Sequence, residues 1–156
     1  MERGARAAVV VLAAVCAACG GGPQGVSPSW AAETSALIGQ LRHDVDLAGV
    51  AGQSTASARR ALHDTSDMYA MLIAYTDFGG CRGMIGGVGT AVRRYRAVEA
   101  DLAAACRHLA RGSQLFTRAA SGHDPSLLEA ASREVGAAAP LLYRARFDLG
   151  LATHKR

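Results

Sequence analysis

Five histidines, at positions 43, 63, 108, 123 and 154, are the first side chains whose neighbours suggest chemistry. His63 and Asp67 stand four residues apart, which places them on one side of a helix. His43, with Asp44 or Asp46, could approach them from a neighbouring helix. Imidazole with carboxylate suits zinc or another divalent ion, whereas Met68, Met71 and Met84 would suit copper. The tight motifs are missing, however: the chain has no His-Glu-x-x-His and no Glu-x-x-His. Structural or surface histidines are therefore the expectation, no metal ligand is assigned, and a metal-handling protein is the alternative. No serine sits in a Gly-x-Ser-x-Gly setting and no Cys-x-x-Cys-His occurs. No catalytic residue and no cofactor is assigned.

Two further stretches could bind anions. From Gly79 to Gly89 the chain is glycine-rich, and such backbone ahead of a helix can cradle phosphate. It matches neither the P-loop nor the dinucleotide fingerprint and contains no lysine, so an interhelical link is expected there. Arg93, Arg96, Arg107, Arg111 and Arg118 fall within about 60° of one another if they share one continuous helix, at 100° per residue. Leu102 and Leu109 lie roughly opposite. Held near a membrane, that basic stripe could meet anionic head groups; otherwise it is a solvated face.

Helices must position all of these. Trp30, Thr34, Leu37, Leu41, Val45 and Ala48 recur at three and four, which predicts a first helix from about Ser29. A second begins at Ser54 or Thr55, carries Ala58, Ala61, Thr65, Met68, Leu72 and Tyr75, and stops near Phe78 before Gly79-Gly80. A third opens around Gly87 and buries Val88, Tyr95, Val98, Leu102, Cys106 and Leu109, with Phe116 still in phase. The fourth has the clearest start, Asp124 as cap followed by Pro125. Its stripe is Leu128, Ala131, Val135, Ala138, Leu142, Ala145 and Leu149, and Pro140 inside it should kink the helix. The expected fold is all-α: a four-helix up-down bundle over residues 29–152, with a glycine-rich link between helices two and three and a short basic tail, 153–156.

The first 18 residues read differently. Arg3 and Arg6 precede Ala7–Ala18, which is wholly apolar or Cys and too short for a membrane span of about 20 residues. The sequence Ala17-Ala18-Cys19-Gly20-Gly21-Gly22 follows. This resembles the lipobox of bacterial lipoproteins, whose signal peptide is cut just before a lipid-modified Cys. It departs from that pattern three positions upstream, where Cys16 replaces the usual Leu; Cys16 itself, preceded by Val15, fits the site poorly. The resemblance implies a signal peptide over 1–18, a diacylglyceryl group on Cys19, often a further acyl group on its amine, and a location on the extracytoplasmic side of a membrane. Residues 19–28, with three consecutive glycines, Pro23 and Gly25, read as a flexible tether.

Export bears on Cys81 and Cys106. In an oxidising compartment an even pair is most simply a disulfide. Yet a third helix starting at Gly87 puts Cys106 about 19 residues along it, roughly 30 Å from its start, while a disulfide needs Cα atoms within about 7 Å. Three solutions stand: the glycine-rich segment folds back along the bundle, the third helix begins later, or the bond joins two molecules.

Composition agrees with a single small domain of closely packed helices. The chain has 156 residues, 50% hydrophobic, 5% aromatic and 19% charged. Removing residues 1–18 lowers basic residues from 17 to 15 and acidic residues from 13 to 12, so the formal charge falls from +4 to +3. That excess is too small to argue for nucleic acid. The expectation is a lipid-anchored cell-envelope protein, a non-enzymatic binding or accessory module held to the membrane, with an envelope protein as a candidate partner.

Overall fold

The computed structural model describes residues 28–51, 54–91 and 93–154. The signal segment, Cys19 and the tether up to residue 27, and the last two residues of the tail, lie outside them. The described residues form five α-helices and no strand: α1 (Pro28–Ala51), α2 (Thr55–His63), α3 (Thr65–Val88), α4 (Arg96–Gly122) and α5 (Pro125–His154), with one 3₁₀ turn, Arg93–Tyr95, before α4.

The expected count of four is corrected to five by a single residue. Asp64 holds an extended backbone, φ −88° and ψ 118°, and serves two helices at once. Its N–H closes α2 on the Arg60 carbonyl at 3.0 Å. Its carboxylate accepts from the N–H groups of Ser66 (2.8 Å) and Asp67 (3.0 Å), capping α3. Aspartate competes well for free N–H groups at helix starts, and here it ends one helix to begin another. At the other end of α2, Ser54 and Ser57 form a reciprocal capping box.

The glycine-rich link is also corrected. Gly79, Gly80, Gly83, Gly86 and Gly87 all lie inside α3, which ends only at Gly89, where φ is +86°. Glycine tolerates that angle at little cost. Each interior glycine weakens a helix by roughly 0.5–1 kcal/mol relative to alanine, so packing holds this stretch helical. Cys81 is fully buried, and Met84, Ile85 and Val88 pack against the core.

The third helix begins nine residues later than the pattern suggested. Among the solutions left open for the cysteines, the structure takes the late start, combined with a second helix that runs on. The neighbouring long helices are antiparallel: Gln40 meets Asp77 across α1 and α3, His108 meets Glu134 across α4 and α5, and Cys81 meets Cys106 across α3 and α4. The fifth helix, α2, rests on α3 and α5. His123 at +50° closes α4, and the Asp124 carboxylate then accepts from the N–H groups of Ser126 and Leu127 to start α5, which continues through Pro140 to His154.

Small residues set the packing. Ala105, Gly112 and Ala119 of α4 and Ala131, Ala138 and Ala145 of α5 are buried, which lets helices approach closely. Larger side chains gather around Tyr75, which stacks flat on Phe116 at 4.4 Å between centroids and meets Phe78 edge-on at 5.3 Å. Trp30 packs on Tyr95 at 5.1 Å and donates to the Gly89 carbonyl, tying the start of α1 to the turn after α3.

Candidate functional site

The fold brings Cys81 and Cys106 together as a disulfide. Cys81 and Cys106 are joined with Cα atoms 5.5 Å apart, and both are fully buried. Such a site is inaccessible to a substrate, so the bond crosslinks α3 and α4.

The histidine–carboxylate candidates are dispersed. His63, Asp64 and Asp67 line an open groove of about 730 Å³ with Leu47, Arg59, Arg60 and Met71. Asp64 is committed to capping, and the His63 ring stands 6.4 Å from that of His123 between centroids. His43, Asp44 and Asp46 belong to α1, where Asp44 turns toward Asp77 of α3. Met68 and Met84 are 16 residues apart on α3, about 24 Å. Among the described residues no group of three or more His, Cys, Asp or Glu side chains could hold a metal ion.

Asp44 is the unexpected buried charge. It is 5% exposed, and its Oδ2 has no hydrogen-bond partner. Burial pushes its carboxyl above the usual carboxylate range; Asp77 adds to the rise and His43 opposes it. Asp77 itself accepts from Gln40 Nε2 at 3.0 Å. The pair lies along the seam between α1 and α3.

The arginine candidates separate into two groups. Arg93 stands in the 3₁₀ turn, not in α4, so helical period does not fix it relative to the rest. Arg96, Arg107, Arg111 and Arg118 are exposed along α4. Arg111 reaches Glu134 Oε1 at 3.4 Å, and the same carboxylate meets His108 Nδ1 at 2.8 Å. These contacts hold Glu134 below the usual glutamate range, the His108 bond contributing most. Arg118 lowers the Asp124 carboxyl to a lesser degree than the capping bonds to Ser126.

Sequence reasoning missed the exposed apolar surfaces. On α3, Tyr69, Leu72 and Ile73 face outward. On α5, Tyr143, Phe147 and Leu151 stand out of the bundle at every fourth residue, 64%, 57% and 47% exposed. Arg42, Arg146 and Gly150 join these three in a shallow open cavity of about 380 Å³. The signal was present as large apolar residues lying off the core stripe of the fourth expected helix. No described helix is long and apolar enough to cross a membrane. Comparison with protein-family models, with curated proteins and with solved structures gives no match.

Proposed function

We propose that this chain is an exported, lipid-anchored protein of a bacterial cell envelope, and that its helical bundle is a non-enzymatic module that binds a partner through its surface. The observation that carries the reading is the buried Cys81–Cys106 bond, of a kind that persists in oxidising compartments and is rare in the cytosol. It agrees with the amino-terminal pattern, Arg3 and Arg6, a short apolar run, and Ala17-Ala18-Cys19-Gly20. The exposed aromatic and aliphatic side chains on α3 and α5 support a surface role: single exposed apolar residues are ordinary, but contiguous groups mark contact sites.

Mass spectrometry of the mature protein from its native host tests the proposal. The expected product begins at Cys19 and carries lipid on that sulfur. An intact Met1, or a mature start far downstream without lipid, overturns it.

A further inference from the structure

We infer that the last turns of α5, together with Arg42 of α1, form the face on which the bundle lies against an anionic phospholipid bilayer. This rests on the lipid anchor proposed for Cys19. Tyr143, Phe147 and Leu151 make one ridge at four-residue spacing, turned away from the core stripe of Leu142, Ala145 and Leu149. Arg42 and Arg146 flank the ridge, and among the described residues neither has a carboxylate within 4 Å. The adjoining groove beside Leu151 is mixed in charge, lined by Asp148 and by Arg94, which lies over the Tyr95 ring. An aromatic ring with a polar tip, next to aliphatic carbon and free guanidinium, is the chemistry of the membrane interface. The apolar parts enter the head-group boundary, and the cations meet lipid phosphate.

The path of the chain selects the bilayer as occupant. Ala31, Ala32 and Ser35, in the first turns of α1, share a groove with Arg146, Leu149 and Gly150 of α5. The polypeptide therefore enters the bundle beside this face. Nine residue steps separate Cys19 from Pro28, a reach of at most about 32 Å when fully extended. A lipid on Cys19 keeps Pro28 within that reach of the membrane and the neighbouring end of the ridge close to it, where weak contacts act at high effective concentration. The other apolar surface lacks this placement. Leu47, near the far end of α1, shares a groove with Ala70 and Met71, so Tyr69, Leu72 and Ile73 lie roughly 30 Å along α1 from its start.

The test uses the full, lipidated chain in vesicles of phosphatidylglycerol and phosphatidylcholine, with a polarity-sensitive fluorophore on Gly150→Cys or on Gly122→Cys. Both positions have open space for a side chain, and Gly122 ends α4 at the opposite end of the bundle. Mass spectrometry of the same samples reads the lipid on Cys19. The expected result is blue-shifted, several-fold brighter emission from position 150 and none of this from 122, with the shift lost in the Tyr143→Ser, Phe147→Ser double variant at unchanged helical circular dichroism. Lipid on Cys19 with equal spectra at the two positions overturns this inference alone. So does a shift that survives the double variant, since the face is then covered by something else, a second copy included. Absence of lipid on Cys19 overturns the anchoring proposal and this inference with it.

Discussion

Cys81 and Cys106 stand at nearly equal distances from the turn that joins their helices, Cys81 seven residues before the end of α3 and Cys106 ten residues after the start of α4. In an antiparallel hairpin such positions lie side by side, which is why the bond forms without a detour of the chain. The loop between them spans 25 positions. In the chain-entropy account a crosslink of that length stabilises by about 3.5 kcal/mol. The Cys81→Ala, Cys106→Ala double variant should therefore lose about 2–4 kcal/mol in denaturant unfolding. Replacing Cys81 alone by Ser should cost more, since it also buries a hydroxyl at a site with no exposure. Equal midpoints for the wild type with and without reductant would contradict this.

Asp44 supplies a pH prediction. Its folded pKa is raised above the ordinary value, so the folded state favours the protonated form. The penalty for the charged form is absent below the unfolded pKa and fully present above the folded one. Asp44→Asn should therefore stabilise the protein at neutral pH, and the gain should shrink as pH falls through the carboxylate range. Melting temperatures of the two proteins from pH 3 to pH 7 check the sign; a gain that grows toward low pH would refute it.

The glycines divide by environment. At Gly83 an added Cβ meets nothing within 4 Å, so Gly83→Ala should stabilise by roughly 0.5–1 kcal/mol through helix propensity alone. At Gly112 the same carbon would sit 3.1 Å from Val135 Cγ2 and 3.3 Å from the Ala131 carbonyl oxygen. A stiff β-branched side chain and helix backbone yield little. Overpacking of about 1–3 kcal/mol should outweigh the propensity gain, and Gly112→Ala should be net destabilising. Chemical denaturation of both variants gives opposite shifts if this is right.

Legibility in the sequence followed the regularity of each helix. Every stripe position proposed for α1 and α5 is buried, because both helices keep one phase from cap to end. In the second expected helix the phase shifts at the Asp64 break: Tyr75 of the expected stripe is buried, but Met71, Ala74 and Phe78 turn inward with it, while Leu72, placed in that stripe, is 54% exposed. Local propensity also misread Gly79–Gly87, since the packing that keeps those residues helical is tertiary: Cys106 of α4 against Cys81, and Trp30 and Leu37 of α1 beside Ile85 and Val88. The α5 ridge was hidden for another reason. A search for core periodicity discards Tyr143, Phe147 and Leu151 as out of phase, though being out of phase is what exposes them.

Asp64 carries the last prediction. The sequence from Thr55 onward reads as one helix, and only this residue's extended backbone and its carboxylate divide it. The carboxylate satisfies two N–H groups that start α3. Asp64→Ala removes that cap, so stability should fall by about 1 kcal/mol. Asp64→Asn and Asp64→Ser keep an oxygen acceptor at the same position and should restore most of the loss. The break also sets which side of α3 faces the core, so an alanine variant that fused α2 to α3 would bring Leu72 toward the buried stripe and turn Met71 out. Hydrogen exchange at the Ser66 and Asp67 amides distinguishes the two results. Faster exchange there, with protection unchanged from Met71 to Cys81, is the expected loss of a cap alone. Altered protection along the whole of α3 would show that the cap also fixes the register of the bundle, and no change at either amide would show that Asp64 is not what divides the helices.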